Sequence, residues 1–190
     1  MIGASHGISR MSKNIVALSF RGNSTVSHAL EIDNKTGAVI EALQFKGVIH
    51  SKSYHENHTP GTRIDIYRPI GITPEQEAMV WAFMLEQVGK GYDWPGIWGI
   101  LRRKMRENPD KWFCSELVFA AYAHAKFLLL QNIFACQVTP ATLITTMRIE
   151  YVGFLICGED LHDLGIVPIS RIAARNRKIE EGCSNGRAIR

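Results

Sequence analysis

The chain has 190 residues, 46% of them hydrophobic and 21% charged, which suits one domain with a genuine core. No stretch approaches the roughly 18 uninterrupted apolar residues that span a bilayer; the most apolar run, "FLLLQNIFAC" at 127–136, is broken by Gln131 and Asn132. The formal charge of +4 belongs to residues 171–190, where six Arg and Lys face only Glu180 and Glu181, so the first 170 residues are neutral and offer no nucleic-acid surface.

The opening segment, "MIGASHGISRMSKN", lacks an apolar core of the kind a secretory signal needs, so residues 1–13 are expected to be flexible and the chain unexported. With no export signal and no CxxC pair, Cys114, Cys136, Cys157 and Cys183 are expected to be free thiols. A first strand is expected at 14–20, "NIVALSF". Two short β-type runs follow, "VSHALEI" at 26–32 and "GAVIEAL" at 37–43, and the Asp, Asn and Gly of "DNKTG" between them predict a hairpin.

This hairpin carries the first chemical clue. Strand side chains alternate faces, which puts His28 with Val26, Leu30 and Ile32, and Glu41 with Val39 and Leu43. Both polar groups therefore fall at an apolar parity, where they are costly unless paired. A two-residue loop at Asn34-Lys35 makes paired positions sum to 69, as 28 and 41 do. The two would then be directly opposite, within reach of a carboxylate–imidazole hydrogen bond. A longer loop, or a bulge at Gly37, gives another register. A buried His–Glu pair can also be purely structural.

Further strands are expected at "GVIHS" and at "TRIDIYRP" (62–69), joined by the polar loop "KSYHENHTPG". His55 and His58 in that loop have a legal zinc spacing, but no cysteine or consistent carboxylate accompanies them, so no metal is expected. Thr73, Pro74 and Gln76 then give a capping box and a helix whose expected apolar stripe is Ala78, Met79, Ala82, Phe83 and Leu85, with Gly89 as its stop. After the aromatic, Gly-rich "GKGYDWPGIWG", a second helix is expected from about Asp110–Cys114 to Leu130, with Leu117, Val118, Ala121, Tyr122 and Ala125 on one side. Thr139-Pro140 opens a short third helix to about Met147, and "IEYVGFLIC" (149–157) returns to strand. Strands and helices do not alternate, so the plan is α+β: a mostly antiparallel sheet with helices gathered against it.

Cys114, in "DKWFCSEL", lies near the first turn of the second helix. Unpaired backbone N–H groups and the positive end of the helix dipole there favour a thiolate and can also hold an oxyanion. A nucleophilic cysteine needs a base and a group that orients it, which His28 and Glu41 would supply. A lone cysteine before "ELVFAAY" is otherwise core packing. Papain-like enzymes run Cys, His, then an amide or carboxylate; the order His28, Glu41, Cys114 fits a circular permutation of that set.

"SHALEI", "VIEALQFKGV", "GKGYDW", "KWFCSELV" and "VTPATL", in that order over residues 26–155, resemble the permuted papain-like amidases of the NlpC superfamily. The likeness is to the YiiX/YaeF-like branch, related to the lecithin retinol acyltransferase group. The resemblance implies a circularly permuted papain-like fold, an antiparallel sheet against a helix bundle, with one catalytic domain over 14–170; the basic, Gly- and Ser-containing composition of 171–190 predicts a flexible tail. It implies Cys114 as nucleophile, His28 as general base and acid, Glu41 as orienter, and Tyr92 and Asp93 as substrate-side residues. Trp94, Trp98 and Trp112 could line a groove with Tyr92, or anchor loops. The implied activity is a cofactor-free cysteine amidase or endopeptidase acting on cell-wall (peptidoglycan) peptides. The alternatives are acyl transfer or lipid-ester cleavage with the same triad, and a non-catalytic papain-like binding module, for example in a phage particle. A cytoplasmic or phage-associated setting is expected; the oligomeric state is left open.

Overall fold

The computed structural model describes residues 1–7, 25–94, 108 and 110–158. Six strands form one antiparallel sheet: β1 (Ile2–His6), β2 (His28–Ile32), β3 (Val39–Leu43), β4 (Gly47–Ser51), β5 (Arg63–Pro69) and β8 (Ile149–Ile156), in the order β4-β3-β2-β1-β5-β8. Against it packs α2 (Cys114–His124), on which α1 (Pro74–Gln87) and the one-turn α3 (Pro140–Leu143) pack in turn. A two-stranded parallel ladder, β6 (Gly91–Tyr92) with β7 (Lys111–Trp112), leads into α2. This is the α+β arrangement that the sequence pattern predicts.

The two faces of the sheet bury different cores. Ile2, Ala29, Ile40 and Ala42 join the side chains of α1 and α2 in the larger cluster. Leu30, Ile32, Val39, Ile64, Ile66 and Leu155 form the smaller one, with Tyr54 from the β4–β5 loop. β2 and β3 are thus buried on both sides, and a polar group on either needs a partner.

Several expectations are corrected. The segment 1–13 was expected to be flexible, but Ile2–His6 is a central strand between β2 and β5. Ile2 and Ala4 are fully buried, which is what holds it there. The strand expected at 14–20, the tail from 171 and Trp98 lie outside the described residues. The α1 stripe is Val80, Met84 and Gln87, with Trp81 and Phe83 half-buried, while Ala78, Met79, Ala82 and Leu85 are exposed. α2 begins at Cys114 but stops at His124 instead of Leu130. Phe127 N–H donates to Tyr122 O (2.9 Å) and Lys126 N–H to Ala123 O (3.0 Å), a Schellman closure with Lys126 at φ 57°. A glycine usually marks such a stop, so Lys126 gives little sequence signal. α3 likewise ends at Leu143, short of Met147. The Thr73 and Thr139 caps form as expected, and Thr73 and Gln76 close a full capping box.

The β2–β3 hairpin forms with a changed register. Glu31 pairs with Ile40 and Ile32 with Val39, so partners sum to 71, because the loop is longer than two residues and Gly37 takes φ 75°. A shift of two preserves the face. His28 and Glu41 become diagonal instead of opposite neighbours, still within reach for long side chains.

Candidate active site

β2 and β3 are paired only at the turn end of their hairpin. The ladder between them stops at Glu31–Ile40. Ile32 N–H bonds Met1 O on the β1 side, so by alternation Ala29 N–H points toward β3, beyond the end of that ladder. This amide is a hydrogen-bond donor to the Cys114 sulfur, as is the Ser115 amide at the start of α2.

The start of α2 is held from several directions. Phe113, buried before the first turn, gives its N–H to the Glu116 carboxylate (3.3 Å), and Ser115 Oγ donates to Val138 O (2.6 Å) beside α3. Gly91 N–H donates to Asp110 O, and Asp93 N–H to Trp112 O, both at 3.1 Å, tying β7 to β6. β6 in turn is seated on the β3–β4 turn, where Val48 N–H donates to Lys90 O (2.9 Å). Gly47, at φ 74°, is required at this point, since a Cβ would run into the Lys90 carbonyl.

Glu41 is fully buried, and its Oε2 lies 2.7 Å from His28 Nε2. With Nε2 committed to the carboxylate, Nδ1 is the nitrogen left for the Cys114 thiol, which shares a hydrogen bond with the ring. The hairpin and the helix start, some seventy residues apart, thus meet as one Cys–His–Glu constellation.

The electrostatics reinforce the geometry. Burial pushes the Cys114 thiol up, but the His28 charge, its hydrogen bond and the two amides outweigh burial and leave the pKa lowered. Burial also favours a neutral His28 ring, yet the Cys114 thiolate and then Glu41 raise it from 6.5 to about 10. For Glu41 burial again acts upward, while hydrogen bonds and charge from His28 and His58 bring it from 4.5 down to about 2. The consistent state is a thiolate–imidazolium pair backed by a carboxylate.

Tyr92 also belongs to this group. Burial, the negative charge on Cys114 and that on Asp93 push its phenol well above 10, while a hydrogen bond with the Gln44 side chain acts the other way. It stays protonated, a hydroxyl within electrostatic reach of the sulfur. Its ring meets Trp94 at 5.3 Å, and Trp94 meets Phe45 at 5.4 Å. Phe45 is 81% exposed and holds φ 69°. Asp93 is buried next to Tyr92. Trp112 is engaged elsewhere: its indole N–H donates to Gln87 Oε1 (3.2 Å) and its ring packs on Phe83. That makes it an anchor between β7 and α1.

His58 was missed as a site residue. Its Nε2 lies 3.1 Å from Glu41 Oε2, so its carboxylate partner comes from β3, while Glu56 of the same loop accepts from the Lys52 amide. Gln44 and the Ala29 amide were also missed, and no local pattern marks either. His124 packs on Phe83 at the far end of α2. Cys114, Cys136 and Cys157 are buried thiols. Among the described residues no helix is long and apolar enough to cross a membrane. No family model matches the chain, and no curated protein matches it either.

Proposed function

We propose that the protein is a cysteine hydrolase of permuted papain-like, NlpC-type architecture that cleaves amide bonds through an acyl-enzyme. One observation carries the reading: a helix-start thiol with a lowered pKa shares a hydrogen bond with His28, whose other nitrogen lies 2.7 Å from the buried Glu41. A His–Glu pair kept only for packing needs no thiol at the second nitrogen.

In this reading the Cys114 thiolate attacks the amide carbon, and the developing oxyanion takes hydrogen bonds from amides at the start of α2 and from the Tyr92 hydroxyl. The C–N bond breaks as His28 gives its proton to the leaving amine. Water, losing a proton to His28, then hydrolyses the thioester, and Glu41 keeps the ring in place throughout. The aromatic run Tyr92–Trp94–Phe45 leads from the sulfur to solvent and suits the side chains or sugar attached to a peptide. Peptidoglycan peptides are the substrate class that the sequence resemblance favours.

The test is mass analysis of muropeptides incubated with the protein, beside iodoacetamide labelling of its cysteines. Expected are fragments whose masses sum to the substrate plus one water, loss of cleavage in Cys114→Ala, and faster labelling of Cys114 than of Cys136 or Cys157. Fragments with the acyl group on another acceptor would mean transfer instead of hydrolysis. Equal labelling rates, with cleavage absent or unchanged in Cys114→Ala, would overturn the reading.

A further inference from the structure

A catalytic triad needs one histidine on its carboxylate, and here there are two. His28 Nε2 and His58 Nε2 lie 2.7 and 3.1 Å from the same oxygen, Glu41 Oε2, and the three ligand atoms lie within 4.8 Å of one another. The other oxygen, Oε1, is buried and has no hydrogen-bond partner among the described residues. The His58 loop is also fixed in place. Its carbonyl accepts from Cys157 Sγ (3.1 Å), Cys157 N–H donates to Thr62 O (2.9 Å), and Asn57 Nδ2 donates to Ser51 Oγ (2.7 Å).

We propose that His28, Glu41 and His58 form a binding site for a divalent transition-metal ion of the zinc class, and that its occupation reversibly switches the hydrolase off. Two imidazoles and one carboxylate are a donor set that such ions take. With metal–ligand distances of about 2.0–2.1 Å, the ligand atoms of a tetrahedral ion stand about 3.3 Å apart. The two histidine–carboxylate separations need to open by only about 0.2–0.6 Å to match that spacing, while the two imidazole nitrogens, within 4.8 Å of each other, settle toward it. The unpartnered Oε1 is available as a second carboxylate ligand.

The inhibitory half rests on the hydrolase reading; the binding half does not. An ion on Nε2 displaces the proton there and confines the remaining one to Nδ1. Passing that last proton to the leaving amine would leave an imidazolate, so the ring no longer serves as the general acid and the C–N bond is not broken. Glu41, turned to the metal, no longer orients the ring. Since the sulfur faces Nδ1, on the opposite side of the ring, Cys114 is not among the ligands.

The test is titration of the full chain with Zn2+ by calorimetry and with Co2+ by visible absorption. One ion per chain is expected, with ligand-field bands and no sulfur-to-cobalt charge transfer. Cys114→Ala should bind equally well, and His58→Ala or His58→Gln more than about tenfold more weakly. No binding, binding that neither His58 variant weakens, or a charge-transfer band lost in Cys114→Ala would each overturn the site. The wild-type cobalt spectrum needs no variant to fold. Zinc should also stop muropeptide cleavage until a chelator is added, and binding without inhibition would overturn the switch. If the chain cleaves no muropeptide at all, the hydrolase reading fails while the titration still decides the metal site.

Discussion

The sheet carries two histidine–carboxylate pairs of nearly the same geometry. His28 Nε2 and Glu41 Oε2 are 2.7 Å apart; His6 Nε2 and Asp65 Oδ2 are 2.8 Å apart. What differs is the rest of each environment. His6 Nδ1 is 2.7 Å from Thr25 Oγ1, and Arg63 Nε donates to the other oxygen of Asp65 at 2.6 Å, so both ring nitrogens and both carboxylate oxygens are engaged by structural partners. His28 has a thiol at its second nitrogen, and Glu41 has a second histidine and an oxygen with no partner among the described residues. A His–carboxylate hydrogen bond alone does not define a site; the group on the far side of the ring does. His6–Asp65–Arg63 shows what the purely structural version looks like in the same sheet.

The sharpest way to break this contrast is to remove each histidine in turn. His28→Ala removes the proton carrier and should cost about 10²–10⁴ in turnover. It should also slow iodoacetamide labelling of Cys114, by taking away the charge that stabilises the thiolate. His6→Ala should leave both rates within about twofold, because a partly exposed pair of this kind contributes little beyond local structure. Equal losses from the two variants, measured on folded protein, would erase the distinction.

How much of this contrast was legible in the chain follows from the range of each interaction. The caps at Thr73 and Thr139, the apolar face of α2 and the shared parity of His28 and Glu41 are local patterns, and each formed. The hairpin register was set by the real loop length, yet a shift of two left the face unchanged. β1 escaped notice because "IGASH" is short and small-residued; it is a strand because neighbours on both sides bury it. His58 was invisible as a partner because the contact depends on how its loop folds back over β3. The exposed Met79 and Leu85 show the converse, an apolar periodicity in α1 that tertiary packing did not use.

The carboxylates give the next comparison, read as stability. Glu41 is fully buried between two histidines, and breaking a buried pair costs about 3–5 kcal/mol, so Glu41→Gln should lower the melting temperature markedly at neutral pH. Asp65→Asn, on a pair whose side chains keep 21% and 12% of their surface exposed, should cost less than Glu41→Gln. The Glu41 pKa falls on folding from 4.5 to about 2. Its contribution is therefore present above pH 4.5 and lost as pH falls toward 2. The gap between wild type and Glu41→Gln should close over that window in acid thermal melts. A gap that is constant with pH would mean the substitution acts through packing alone.

The smallest effect, and the most diagnostic, is a shift along the pH axis between two cysteines that are equally hidden. Cys114 and Cys157 are both buried, 4% and 2% exposed. Burial raises the Cys157 pKa, and its thiol donates to the His58 carbonyl. Cys114 is lowered instead, by His28 and two amides acting against the same burial. Iodoacetamide labelling followed residue by residue should therefore place the Cys114 midpoint below the ordinary thiol value of 9.0 and that of Cys157 above it. His28→Ala should move the Cys114 midpoint upward and leave Cys157 where it is. At the alkaline end the two readouts should separate. Above a pH of about 10 His28 loses its proton, so Cys114 stays a thiolate and still labels, while hydrolysis falls because nothing protonates the leaving amine. If labelling and hydrolysis of Cys114 fall together in alkali, or if the two cysteines share one midpoint, then the imidazolium is not what distinguishes this cysteine from its buried neighbour.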